Sequence, residues 1–323
     1  MTQAETHPIV VAVPTDDDVD AVLHYAAAEA RVHGCGLRLV HAHSPGAGDH
    51  ADDVLRRAAA VTRLLAGPSV RISVRRVIGA PVEAVLATSG DALAVVLRNR
   101  DSLHLLRTLT AGVTGPPVAR VPSDWSPRVR DPRPVLLGIE DPLHATSTLS
   151  RALEIASIHR TGLQVMHAWH FAGRSDPVID RQIGSELSDS LTAALRRGLE
   201  RCRQTTGLHD VPVELEVRHG SAAEVLMHAA SEAQVLLLGR NCPSVDGSIH
   251  FGRTTRAALH ESPCPVVLLA AEPGGCRVQL PGMAGPMHLP SRIRRTDARG
   301  GRRATARSWS WTPPKASPGP VDV

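Results

Sequence analysis

The stretch 234–269, QVLLLGRNCPSVDGSIHFGRTTRAALHESPCPVVLL, has the pattern that decides the fold. An apolar run at 235–238 ends at a glycine, a polar loop follows, and an amphipathic segment runs over 254–259. A second short apolar run, 266–269, closes the stretch. Short apolar runs bounded by glycine and proline, with a helical period between them, predict a strand, a loop, a helix and a strand. A helix that connects two neighbouring strands indicates a parallel sheet.

The loop between Gly239 and Gly252 is the part of this unit that can carry chemistry. Ligands of open parallel sheets bind beyond the carboxyl ends of the strands, near helix N-termini. Free backbone N–H groups and the helix dipole favour phosphate there. Glycine at both ends lets the backbone turn sharply and approach an anion closely. A plain connection between a strand and a helix fits the same glycines, so the loop by itself leaves both interpretations open.

The same order of elements occurs twice along the chain. Apolar runs at 9–13 and 135–139 open the two copies, and each run is followed by a helical segment and a second strand. The second strands, LRLVHA and LQVMHAW, put His41 and His167 in register, 126 residues apart. The offset then grows because the second copy has the longer second helix. Strands and helices that alternate in this way, twice over, predict an α/β protein with two tandem doubly wound parallel-sheet domains.

The loop resembles the C-terminal signature of the universal stress protein family, G-x2-G-x9-G-[S/T]. Gly239 and Gly252 stand at the first and last glycine, whereas Cys242 replaces the second glycine and Arg253 replaces the Ser or Thr. The resemblance covers about residues 7–270. It implies the tandem form of the family, with an adenine nucleotide alpha hydrolase-like, Rossmann-like fold. By the same analogy, we expect the last strands of the two halves to pair.

The resemblance also implies a nucleotide site in the second half alone. At the position of the family's strand-end Asp the second copy has Glu140, whereas the first copy has Pro14, whose side chain cannot accept a hydrogen bond from ribose. A helix-start arginine can clamp phosphate or face solvent, and threonines there can bind phosphate or cap the helix. The implied contacts to a weakly bound ATP are Glu140, Ala168, Gly239, Cys242, Gly252, Arg253, Thr254 and Thr255.

Changes in composition along the chain indicate where its domains, linker and tail begin and end. We predict a degenerate domain at 7–122, a linker at 123–134, the domain with the residual nucleotide loop at 135–270, and a disordered tail at 271–323. The tail is rich in Pro, Gly and Arg and lacks a sustained apolar period, so it cannot bury enough surface to order itself. Its basic clusters fit either nucleic acid or a solvated segment, and the solvated segment is the interpretation we adopt.

Several classes of function find no support in the sequence. Five scattered cysteines without a C-x-x-C pair argue against disulfides and a zinc site, and His41 and His43 lack an evident third ligand, so no metal site is predicted. No apolar run approaches the ~20 residues of a membrane span. The N-terminus lacks the features of a signal peptide, so a cytoplasmic location is expected. Nucleophile-elbow and Walker motifs are missing, so no catalysis is expected.

We therefore expect a non-enzymatic stress-response module that binds ATP weakly in its second domain. Its partners would be an adenine nucleotide and a second domain of its own kind, either within the chain or in a homodimer. The alternatives are a protein-interaction scaffold that binds no nucleotide, and a nucleic-acid contact through the basic tail.

Overall fold

The computed structural model describes residues 7–16, 19–101, 103–111, 115–128, 131–170, 177–240 and 251–269, with the backbone alone at 177–183. The first half contains β1 (Ile9–Ala12), α1 (Asp20–His33), β2 (Leu37–His43), α2 (Gly48–Ala66), β3 (Ile72–Ile78), α3 (Pro81–Thr88), β4 (Ala94–Arg98), α4 (Leu103–Thr110) and β5 (Val118–Val121). The second half contains β6 (Val135–Gly138), α5 (Thr146–His159), β7 (Leu163–Trp169), α6 (Pro177–Thr206), β8 (Val213–His219), α7 (Ala222–Ala230), β9 (Val235–Gly239), α8 (Arg253–Glu261) and β10 (Val266–Leu269).

The strands form one ten-stranded sheet in the order β3-β2-β1-β4-β5-β10-β9-β6-β7-β8. Within each half the neighbouring strands are parallel. The halves meet where β5 and β10 pair antiparallel, with Val267 opposite Ala119. We call this strand pair the seam. The α/β class with duplicated doubly wound halves is confirmed, and the two sheets expected from the sequence are continuous with each other.

Helices cover both faces of this sheet, which is the arrangement that the βαβ connections require. One hydrophobic core lies between the sheet and α1, α2, α5 and α6, and the other lies between the sheet and α3, α4, α7 and α8. Every residue of β5, β6 and β10 is buried. Burial on two sides explains the continuous apolar runs of β6 and β10, whereas β5 reads VARV and buries Arg120.

Among the described residues, no helix has both the length and the apolar composition that crossing a bilayer requires. The predicted domain boundaries stay predictions. The tail at 271–323 lies outside the described residues, as does the proposed contact of that tail with nucleic acid.

Candidate functional site

The two glycines of the signature both lie at the carboxyl edge of the second half. Gly239 is the last residue of β9 and pairs with Leu269 of β10. Gly252 is the N-cap residue of α8. Since α8 leads back to a strand parallel to β9, its N-terminus faces the same edge at which β9 ends. Cys242 lies outside the described residues.

Glu140 and Ala168 lie at the same edge, on neighbouring strands. Glu140 is exposed and follows β6 by two residues, whereas Ala168 is half-buried near the end of β7. Between them, the buried His167 donates a hydrogen bond from Nδ1 to the carbonyl oxygen of Ile139, at 2.9 Å. Burial lowers the pKa of His167, so the ring is neutral and its Nε2 is unprotonated. The histidine thereby fixes the backbone immediately before Glu140.

The first half repeats this histidine contact. Nδ1 of His41 donates to the carbonyl oxygen of Val13 at 2.8 Å, which matches the register predicted from the sequence. Nδ1 of His43 instead contacts the carbonyl oxygen of Ser44, at 2.8 Å. The Nδ1 atoms of His41 and His43 are therefore both engaged with backbone carbonyl groups.

The first turn of α8 supplies the groups that suit an anion. Gly252 has no side chain with which to cap the helix, so the N-cap residue leaves the first N–H groups of α8 without a side-chain partner. Arg253 is exposed, and Thr254 and Thr255 are half-buried at the second and third helical positions, so neither threonine is the N-cap residue. Phe251, which the sequence reasoning did not single out, is buried in the core of that face.

The reason expected for the two glycines is partly wrong. Gly252 has φ −59° and ψ 168°, and Gly239 is likewise outside the left-handed region, so other residues can adopt both conformations. What Gly239 provides is space. A Cβ atom built on it would find Thr148 Oγ1 as its nearest neighbour, at 3.9 Å. Among the described residues, none comes closer than this to the added Cβ atom, so they leave room for a ligand beside the end of β9.

The equivalent edge of the first half contains a charge cluster instead. Arg98 is the last residue of β4, in the place that Gly239 has in β9. Its guanidinium is paired with Asp16 and, at 3.1 Å, with Asp101, and its side chain is only 11% exposed. A cleft of about 300 Å³ lies beside it, lined by Pro14, both carboxylates and other residues. Two carboxylates that already neutralise the arginine oppose the entry of phosphate.

The fold and the carboxyl edges of its two halves define a class of protein, the doubly wound α/β proteins built from a duplicated five-stranded unit. Residues 132–270 match the model of the Universal stress protein family, so this part of the chain is a universal stress protein domain. The family recognised from the sequence is thereby confirmed.

Relatives of both halves are known. The chain is 25% identical over 293 residues to a universal stress protein of Mycobacterium tuberculosis (strain ATCC 25618 / H37Rv), a match that covers 81% of this chain and 96% of the relative. A universal stress protein of Thermus aquaticus is 29% identical over 142 residues, covering 42% of this chain and 96% of the relative. The solved structure of a universal stress protein from Archaeoglobus fulgidus DSM 4304 has a TM-score of 0.57 at 13% identity. The match covers 82% of this chain and 97% of that structure's chain, and at this identity it is evidence for a shared fold only.

Proposed function

We propose that this protein is a non-enzymatic universal stress protein that binds ATP weakly at the carboxyl edge of its second half. The observation that carries the proposal is a difference between two equivalent positions: β4 ends at Arg98, whereas β9 ends at Gly239. In the first half this position holds an arginine neutralised by two carboxylates. In the second half it is a glycine against which no described side chain is closely packed, at the edge faced by the N-terminus of α8.

The residues of this edge divide between the parts of the nucleotide. The N–H groups of the first turn of α8, with the side chains of Arg253 and Thr254, would hold phosphate oxygens, because a helix N-terminus favours negative charge. Glu140 is exposed and can accept hydrogen bonds from ribose hydroxyl groups. The methyl group of Ala168 offers an apolar contact for the adenine ring. The residues present therefore fit the nucleotide.

Binding without turnover is the second part of the proposal. ATP would be held and released intact, and the bound state would be the signal. Incubation of the full chain with ATP and Mg²⁺ should therefore yield no ADP above a protein-free control. Release of ADP or AMP in step with protein concentration would contradict this part and leave the binding site untouched.

The binding site is tested by calorimetric titration of the full chain with ATP and Mg²⁺. The decisive variant is Gly239→Glu, which puts a carboxylate at the end of β9 and should weaken binding of the phosphates at least about tenfold, or 1.4 kcal/mol. Gly90→Glu is the matched control. Gly90 is exposed, has no heavy atom within 4 Å of its built Cβ, and precedes β4, which β5 and β10 separate from β9.

Two results would contradict the proposed site. Equal affinities for Gly239→Glu and Gly90→Glu would place the nucleotide elsewhere in the chain. An absence of heat with the unaltered chain at millimolar ATP would favour a protein-interaction scaffold that binds no nucleotide.

Cys242→Gly restores the family's second glycine, and it should tighten binding if the loop is a degraded form of that signature.

A further inference from the structure

A group of three polar side chains lies between the halves, away from the proposed nucleotide edge. His33 is the last residue of α1 and His159 is the last residue of α5, so the two helices end in equivalent histidines. They are 126 residues apart, the same offset as His41 and His167. Glu29 lies one turn before His33, whereas its counterpart in α5 is Ile155. The first half thus contributes two of the three side chains and the second half contributes one.

The distances within this group suit one cation. Glu29 Oε2 is 3.5 Å from His33 Nε2 and 3.3 Å from His159 Nε2. The three ligand atoms all lie within 4.8 Å of one another. Tetrahedral zinc with bonds of about 2.1 Å separates its ligand atoms by about 3.4 Å. Two of the three separations already have this value, and a rotation of one imidazole ring can shorten the third.

A neighbouring amide sets the orientation of His159. Nε2 of Gln234 donates to the carbonyl oxygen of Arg133 at 2.7 Å, so the amide oxygen of Gln234 faces the histidine. Nδ1 of His159 is 3.1 Å from that oxygen and donates to it. The hydrogen bond therefore turns Nε2 toward Glu29. Metal-binding histidines are held in this way, with one ring N–H bonded to a neighbouring acceptor and the other nitrogen facing the metal.

The surroundings shield the three side chains from solvent. The side chains of Glu29, His33 and His159 are 15%, 18% and 10% exposed. A mostly apolar cavity of about 150 Å³ adjoins the three side chains, which is room for water as a further ligand.

We propose that Glu29, His33 and His159 bind one divalent first-row transition-metal ion, of the kind that Zn²⁺ represents. Two imidazoles and one carboxylate suit Zn²⁺ and its neighbours in the series, whereas Ca²⁺ and Mg²⁺ prefer oxygen ligands throughout. Three protein ligands leave one tetrahedral position that faces the cavity. Because the ligands come from α1 and α5, the ion would tie the two halves together.

The test is a calorimetric titration of the full chain, freed of metal by a chelator, with Zn²⁺ alone. We expect one ion per chain with a dissociation constant in the micromolar range or below. His33→Gln and His159→Gln should each weaken binding about 10-fold to 100-fold. Gln234→Ala, which removes the orienting hydrogen bond, should weaken it about tenfold. Co²⁺ bound in place of Zn²⁺ should show the visible absorption of tetrahedral cobalt, and this absorption should disappear in His33→Gln.

His144→Gln is the matched control. His144 also pairs with a carboxylate, Asp141, with Nδ1 at 2.7 Å from Oδ2, but this pair lies outside the group of three. Its variant should bind Zn²⁺ as the unaltered chain does. Circular dichroism identifies the ligand variants that keep the fold, and His33→Gln, at the end of α1, is the milder change. Unchanged Zn²⁺ affinity in a folded ligand variant, or no binding by the unaltered chain at 100 µM Zn²⁺, an excess of about 100-fold over a micromolar dissociation constant, overturns the proposal.

Discussion

At the scale of single residues, the two halves differ most where β4 and β9 end. Arg98 and Gly239 occupy equivalent positions next to β5 and β10, opposite Val121 and Leu269. In the first half an arginine fills this point and is paired with two carboxylates, whereas the second half has a glycine there. The duplicated backbone is thus retained, while the capacity to take an anion depends on the side chains at the strand ends.

Gly138 is a position where an added methyl group is expected to lower the stability of the fold. A Cβ atom built on it would lie 2.7 Å from Leu238 Cδ2 and 3.0 Å from Leu226 Cδ1, both in a closely packed core. We expect Gly138→Ala to lower the free energy of unfolding by about 1–3 kcal/mol, because the core has no room for an added methyl group. Urea denaturation of the full chain, followed by circular dichroism, measures this difference.

Gly162→Ala is the matched control for that substitution. Gly162 precedes β7, and the nearest atom to its built Cβ is the carbonyl oxygen of Pro212 at 3.5 Å, an ordinary contact. We expect its urea midpoint to stay close to that of the unaltered chain. If both alanine variants were equally stable, the leucines around Gly138 would have room to move, and close packing would not explain this glycine.

At the scale of elements, the sequence predicted the apolar strands best. The strand LQVMHAW, at 163–169, and the strand at 266–269 have the predicted bounds. The helix α2, in contrast, begins at Gly48, six residues before its first large apolar residue, Val54. Its first turns read GDHADD and have no apolar period to detect. These turns make tertiary contacts that a sequence pattern does not contain, such as the burial of Ala51 and the ion pair of Asp52 with Arg76, 2.6 Å long.

Of the two candidate sites, one was predicted from the sequence and the other was missed. Glycine spacing predicted that Gly239 and Gly252 lie at one edge, because both follow from the order of strand, loop and helix. The group of Glu29, His33 and His159 was missed, because its third member is 126 residues away from the second. The available signal was the Glu-x3-His spacing in α1, combined with a histidine at the equivalent end of α5. Only the packing of these helices brings the three together.

The long helix α6 allows a direct test of which helix faces support the fold. Leu195 of α6 is fully buried in the core shared with α5, whereas Leu64 of α2 is 86% exposed. We expect Leu195→Ala to lower the free energy of unfolding by about 2–5 kcal/mol, through lost burial and the cavity that remains. Leu64→Ala should change it by no more than about 0.5 kcal/mol. Thermal or urea unfolding of the two variants compares them, and equal losses would contradict the assigned packing of α6.

At the scale of the whole molecule, each half has one edge strand exposed at the outside of the sheet and one edge strand covered at the seam. The outer strands β3 and β8 are largely exposed and contain Arg75, Arg76, Glu214 and Glu216, and charge on an edge strand discourages further pairing. The inner strand β10 reads VVLL, is buried, and contains neither charge nor proline. The apolar edge of each half is therefore covered by the other half.

A chain consisting of residues 131–269 alone should reveal this dependence. Without β5, the strand β10 becomes an exposed apolar edge, and we expect the fragment to dimerise through antiparallel pairing of two β10 strands. Light scattering after gel filtration measures the mass. Val267→Lys, at the centre of the seam, should give a monomer. Glu214→Lys, on the outer strand, should leave the dimer intact. A folded fragment that is monomeric without any substitution would contradict this role of the seam.

Joining the two halves in one chain also fixes their stoichiometry. Separate subunits of this shape could exchange partners, and a pair of identical halves would carry two equal nucleotide sites. The covalent link instead gives every molecule one carboxyl edge with the arginine and its two carboxylates and one carboxyl edge with the glycine. Titration with nucleotide should then follow a simple hyperbola, without homotropic cooperativity, and the response would vary in proportion to occupancy instead of switching at a threshold.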